Sequence, residues 1–171
     1  MPPQGARGVF RRITAFYARL LEILLVATVA IIIVPVTMQV VARFADWLPR
    51  YIWTEELARF LLVWMIMIGS MIGVREATHF NVDLFFNLRG RTRAAMDILA
   101  ALFVLGFAYV FIVYGWEFTD TAWFRISELA ELPLWTIHIA WPIAGVTWVI
   151  FAGERIWDDL QILLHGEKAD H

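Results

Sequence analysis

The chain has 171 residues, of which 61% are hydrophobic and only 18% charged, against roughly 45–50% and about 25% in soluble domains. Its net charge of −2 provides no basic field to hold a polyanion, and the absence of Cys removes thiolate chemistry and any disulfide framework. A soluble enzyme, a secreted disulfide scaffold and a nucleic-acid-binding domain are excluded.

Four runs, residues 23–42, 60–74, 98–116 and 132–153, carry no Asp, Glu, Lys or Arg and are 20, 15, 19 and 22 residues long. A helix rises about 1.5 Å per residue, so about 20 residues cross the ~30 Å of bilayer hydrocarbon. The pattern predicts an all-α membrane protein, one domain over residues 1–171, with four transmembrane helices at about 20–43, 52–75, 96–116 and 132–153.

Before the first span, Arg7, Arg11 and Arg12 superficially resemble the start of a signal peptide. The apolar run is long, however, and no small-residue cleavage pattern follows it, so it is read as a retained span. Glu22 lies one turn after Arg19 at the span's edge, which predicts a snorkelling, Arg-paired carboxylate. Pro35 and Pro142 fall inside spans one and four, where a proline is tolerated if neighbours satisfy the freed carbonyl.

The second charge-free run is too short alone, and extending it back to Ile52 draws Glu55, Glu56 and Arg59 into the outer end of the helix. Glu55 and Arg59 are four apart and Glu56 and Arg59 three, so Arg59 can meet either carboxylate. Three readings stand: a self-satisfied ion cluster that fixes helix depth, a contact with a partner, or a site of proton or ion conduction. Further along, Gly69 and Gly73 form Gly-x-x-x-Gly with Ser70 beside them. This face lets another helix approach closely and makes span two a packing centre. At the inner end, Arg75, Glu76, His79 and Asp83 precede the apolar run Val82, Leu84, Phe85 and Phe86. That suits a short interfacial helix, and a solvated loop fits equally well. Residues 43–59 and 75–97 are both short enough to lie along the surface as amphipathic helices.

Arg93 and Asp97, at the start of span three, read like the Arg19 and Glu22 pair. His138 is about seven residues into span four without a second mid-span histidine, so an accommodated histidine is expected rather than a haem ligand. No helix places His and carboxylate at metal-ligand spacing.

Ten Lys and Arg residues flank one side of the four spans and four flank the other (Arg43, Arg50, Arg59 and Arg125). The positive-inside asymmetry puts both termini in the cytoplasm. Trp47, Trp53, Trp116, Trp123 and Trp135 then fall near the outer interface, where an indole is favoured.

Read in order, these positions resemble one family, the DctQ-like small membrane subunit of tripartite ATP-independent periplasmic (TRAP) transporters. The resemblance is carried by residues 39–44 (QVVARF), the run Trp53-Thr54-Glu55-Glu56-Leu57-Ala58-Arg59, then Trp64, Gly69, Arg75, His79 and Val82-Asp83, with Leu132-Pro133 and Trp141-Pro142. It covers roughly residues 20–155, and four spans with both termini inside is the family's topology.

The resemblance implies a non-enzymatic scaffold in a bacterial or archaeal inner membrane. Its partners would be a larger elevator-type membrane subunit, a periplasmic substrate-binding protein and membrane lipids. Import of an organic acid, such as a C4-dicarboxylate or sialic acid, would be sodium-driven, with sodium held in the larger subunit and no cofactor here. Arg43, Trp53, Glu55, Glu56 and Arg59 would organise the outer end and its seam with the partner. Gly69 and Gly73 would offer a close-packing face, and Arg75, His79 and Asp83 would hold the inner arm. The rival reading is a free-standing four-helix transporter acting as a homodimer. It would need a midplane carboxylate, and Glu22 is too peripheral.

Overall fold

The computed structural model describes residues 4–45, 51–76 and 91–165. Within them lie five helices: α1 (Gln4–Phe44), α2 (Trp53–Glu76), α3 (Arg91–Thr121), the single turn α4 (Trp135–His138) and α5 (Ala140–His165). Four helical stretches are long and apolar enough to cross a membrane: Gly8–Phe44, Trp53–Glu76, Ala95–Thr121 and Trp135–Gln161. Among the described residues there is no strand, only an isolated antiparallel bridge between Ile126 and Pro133.

Each helix outruns the charge-free segment inside it. The additional turns carry charges that find partners on a neighbouring helix, within the same helix or on a connecting loop, so helix and pairing continue past the apolar stretch. Residues 53–59 are accordingly the first turns of α2 and residues 91–97 the first turns of α3. Neither forms a separate surface helix, which corrects the expectation of amphipathic elements at those positions. The rest of the expected inner arm, including His79, Asp83 and the apolar run 82–86, lies outside the described residues.

Span four divides because of Pro142. A proline lacks the N–H that would bond the carbonyl four residues back, that of His138, and α4 ends there. Pro142 then occupies the first turn of α5, where an N–H has no intrahelical partner in any case. Pro35, by contrast, sits inside α1 at a buried position, and the helix runs through it.

The principal packing contacts join α1 to α2, α2 to α5 and α5 to α3. The helices therefore form an open row with α1 and α3 at its edges. Burial follows: 44% of the best apolar window is buried in the α4–α5 span and 28% in α2, but only 17% in α1 and 11% in α3. On α1 the non-exposed side chains include Thr14, Ala18, Leu21, Leu25, Thr28, Ile32, Pro35, Gln39 and Ala42. Their alternating spacing of four and three is the seam of a left-handed helix pair with α2.

In lipid, apolar burial between helices yields little, because the tails are as apolar as Leu; close packing and hydrogen bonds decide. The α3–α5 contact uses close packing. Ala101, Ala108 and Gly115 on α3 recur every seven residues and are buried, facing Ala140, Ala144 and Gly145 on α5. A Cβ at Gly145 would stand 2.8 Å from the Ala108 carbonyl oxygen and from Ile112 Cγ1, and one at Gly115 2.9 Å from Pro142 Cδ. These two glycines set how near the helices come. The α2–α5 contact is filled instead by Met67, Ile68, Met71, Trp148 and Phe151, with Met71 fully enclosed.

Candidate functional site

Polar groups collect at the two ends of the row. At the end holding both termini, α5 carries Glu154, Arg155, Asp158 and Asp159 on its last turns. Arg11 of α1 donates through Nη2 to both oxygens of Asp158, at 2.8 and 2.7 Å, and its Nε lies 4.0 Å from Glu154. Arg155 reaches the other way, to Asp97 of α3 at 2.7 Å, with Asp159 at 3.8 Å. Arg75 of α2 donates to the Thr14 carbonyl of α1, and its guanidinium lies 5.5 Å from the centre of the Phe151 ring on α5. One end thus ties all four spans by side chains. Deeper in, the Thr147 hydroxyl donates to the Ile143 carbonyl, so the Tyr17 hydroxyl is the donor in the 2.8 Å bond between Tyr17 and Thr147.

The loop end is built differently. The connection from α3 to α4 folds back as a short hairpin: Leu134 N–H donates to the Arg125 carbonyl and Ser127 N–H to the Leu132 carbonyl, both at 2.9 Å. Glu131 takes a positive φ of 53° to close it, a conformation that costs a non-glycine residue energy. Glu56, on the first turn of α2, is 9% exposed and supplies the anchor. Its Oε2 accepts from the N–H groups of Leu129 at 3.0 Å and Ala130 at 2.7 Å, and the Ser127 side chain joins it. Two hairpin donors are satisfied by one carboxylate, a charge-assisted arrangement, and the Ala130 N–H also reaches Ser127 Oγ at 3.4 Å. Trp64 Nε1 donates to the Thr136 carbonyl at 3.0 Å and fixes α4 against α2.

Glu55 points away. It pairs with Arg59 at 3.3 Å, and both side chains are more than 60% exposed. Of the two pairings the sequence allows for Arg59, the hydrogen bond therefore forms with Glu55, and Glu56 is committed to the hairpin. Trp53 is exposed beside Tyr51, with ring centres 6.1 Å apart. Arg43 is exposed at the end of α1 and shares with Glu55 a cavity of about 310 Å³ between α1 and α2.

Gly69 and Gly73 have no atom within 4 Å of a Cβ built on them, so no helix among the described residues packs closely there, and Gly73 borders a cavity of about 270 Å³ that Ala101, Val104, Ala152 and Arg155 also line. Arg75 reaches into the bundle, onto Thr14 and Phe151. Glu22 is exposed on α1 and forms no ion pair with Arg19. His138 is partly buried at the end of α4, its ring 5.6 Å from that of Phe118. No group of three His, Cys, Asp or Glu able to hold a metal occurs among the described residues.

Sequence reasoning missed Arg11, Asp158, Arg155, Gly115 and Gly145. The signal for the first three was the Glu154/Asp158 and Arg155/Asp159 ladder at four-residue spacing after the last span. For the glycines it was the seven-residue recurrence of Ala101, Ala108 and Gly115.

Comparison with known proteins adds what geometry alone does not give. Residues 32–162 match the family described as tripartite ATP-independent periplasmic transporters, DctQ component. The chain is 28% identical to the sialic acid TRAP transporter small permease protein SiaQ of Vibrio cholerae, over 84% of this chain and 83% of that protein. It is 26% identical to the C4-dicarboxylate TRAP transporter small permease protein DctQ of the same organism, over 50% of this chain and 42% of that one. A third similarity, 30% identity over 56% of this chain, is to the sialic acid TRAP transporter permease protein SiaT of Haemophilus influenzae and covers only 16% of that longer protein. An open row of four membrane-spanning helices and a family match over most of the chain agree: the chain belongs to the DctQ component family of TRAP transporters, as a small membrane subunit of a transporter and not an enzyme.

Proposed function

We propose that this chain is the fixed small subunit of a sodium-driven, binding-protein-dependent importer of an organic acid. It stands in a bacterial inner membrane beside a larger membrane subunit that binds substrate and sodium and carries the substrate across. The observation that carries this reading is the similarity to SiaT: a stretch of this chain corresponds to a small part of a much longer permease. That is the expected relation where small and large membrane subunits share one chain. The geometry is in keeping. Gly69 has open space at its Cβ and Gly73 borders a cavity between α2, α3 and α5, and a small-residue face without close packing suits a helix from another subunit.

The excess of Arg and Lys at the terminus end supports an orientation with both termini in the cytoplasm. The hairpin anchored by Glu56 then faces the periplasm, where a soluble binding protein delivers substrate. Within this scheme the exposed group, Arg43, Trp53, Glu55 and Arg59, forms the outer seam with the larger subunit, while Glu56 acts indirectly by holding the hairpin. His79 and Asp83 are assigned to an inner arm against lipid headgroups. The names of the relatives point to sialic acid or a C4-dicarboxylate as the class of substrate.

Reconstitution with each component omitted in turn tests the proposal. Uptake of a labelled organic acid into proteoliposomes under an inward sodium gradient should require this chain, the larger membrane subunit and the binding protein together. Flux catalysed by this chain alone, or uptake undiminished when it is left out, would overturn the proposal.

A further inference from the structure

The hairpin between α3 and α4 lies along α2, and α2 serves as a ruler for its depth. Glu56 holds the hairpin tip through the N–H groups of Leu129 and Ala130, and Trp64 holds the base through the Thr136 carbonyl. Eight residues of continuous helix separate Glu56 from Trp64, about 12 Å of rise. Side chains on a helix lean toward its N-terminus. The tip therefore lies level with the start of α2, and the base level with Phe60, where the charge-free run begins.

α5 gives a second measure. Arg155 pairs with Asp97 of α3 at the opposite end of the row. From Arg155 back to Thr136 is 19 residues, about 28 Å of helix and close to the ~30 Å of bilayer hydrocarbon. Both measures place the base of the hairpin at the hydrocarbon edge. The interfacial layer beyond that edge is only about 5–8 Å deep, so the hairpin crosses it and the tip, with Glu128 and Glu131, emerges into water.

The side chains suit that position. Phe124 is 93% exposed, more than any other large apolar side chain among the described residues, and Ile126 is 65% exposed. Both lie on the arm that pairs with residues 132–134 near the base, away from the tip. Trp123 beside them stacks on Trp135, with ring centres 5.3 Å apart, and indoles at the mouth of a span mark a membrane interface. Arg125 is exposed between the two apolar residues, and its long stem lets the guanidinium reach a phosphate. The backbone suits it as well. Close to hydrocarbon there is little water to bond, and polar groups of the main chain need partners in the protein. The N–H groups of Trp123, Arg125, Ser127, Leu129, Ala130 and Leu134 are all bonded within the chain, and Pro133 has none to satisfy.

We propose that this hairpin is a membrane-interface anchor: Phe124 and Ile126 insert into the leaflet at the loop end, Arg125 meets its lipid phosphates, and the tip stands in water. The partner is the lipid surface. The inference rests on the chain spanning a bilayer and stands independently of what is transported.

The chain contains no Cys, so one introduced cysteine carries one spin label. Labels on Phe124→Cys, Ile126→Cys and Glu128→Cys are read in nanodiscs of phosphatidylethanolamine and phosphatidylglycerol, with the full chain alone and bound to the larger membrane subunit. Power-saturation EPR compares access of oxygen, which concentrates in hydrocarbon, with access of a nickel chelate, which stays in water. The oxygen-to-nickel ratio should be severalfold higher at positions 124 and 126 than at 128, in both forms. Both apolar positions are exposed, so the variants should melt like the parent chain, and two positions on one edge keep the test in place if one variant misfolds. A ratio at 124 and 126 as low as at 128 would overturn the proposal by placing the hairpin in water. Exclusion of both reagents from 124 and 126, in the isolated chain or on binding the larger subunit, would overturn it too, because that edge would then be covered by protein.

Discussion

The two ends of the helix row solve the same problem by different chemistry. At the terminus end, ion pairs between side chains dominate, Arg11 with Asp158 and Arg155 with Asp97, with Arg75 on the Thr14 carbonyl beside them. At the loop end, side chains meet backbone: Glu56 on the N–H groups of Leu129 and Ala130, Trp64 on the Thr136 carbonyl. Ion pairs between long side chains fix which helices are neighbours while tolerating small shifts. A carboxylate on two successive N–H groups fixes the path of a loop. The difference teaches that the terminus end holds the helices in register, whereas the loop end gives one connection a defined shape on which exposed groups are displayed.

Between the ends, close packing carries the fold, and the largest effect is expected there. Gly145→Ala should cost about 2 kcal/mol, as overpacking commonly does, because the new methyl meets the Ala108 carbonyl and Ile112 at 2.8 Å. Gly69→Ala is the matched control, with open space at its Cβ; the isolated chain should keep its stability or gain slightly. A thermal unfolding series in detergent separates the two. If Gly69→Ala leaves the isolated chain intact and weakens its association with the larger subunit, the Gly69 face of α2 is the seam.

Arg75→Met comes next. It keeps an apolar stem but removes the donor to the Thr14 carbonyl and the cation near Phe151, and a loss of about 1.5 kcal/mol follows for a hydrogen bond to a charged group. Glu56→Ala should act locally. The Leu129 and Ala130 amides lose their acceptor, and hydrogen exchange across the hairpin should accelerate by about tenfold while the terminus end is unaffected. Faster exchange at both ends would break the distinction between them. Asp158→Ala should change least. The Arg11 and Asp158 side chains are 62% and 47% exposed, and pairs of that kind contribute about 0–1 kcal/mol, less at high salt.

The four spans were legible because long charge-free runs have few other uses, and the Glu55–Arg59 pair was legible because it lies within one helix. What was not legible depended on contacts across the chain. Glu56 and its hairpin partners are 73 and 74 residues apart, and those partners are backbone groups that carry no sequence signature. Arg11 and Asp158 are 147 residues apart. Gly69 and Gly73 match the familiar pattern, yet the close approach inside the chain falls at Gly115 and Gly145, in a seven-residue repeat of small residues that passes for ordinary apolar helix.

As one fixed part of a larger membrane assembly, this chain should leave the membrane with its partner. Gentle affinity purification from membranes that also contain the larger TRAP permease is the decisive experiment. The permease should co-elute in a one-to-one ratio, and Arg59→Ala or Gly69→Ile should lower its yield while the chain itself remains folded. Elution of the chain alone or as a homodimer, with the permease left behind, would contradict that role.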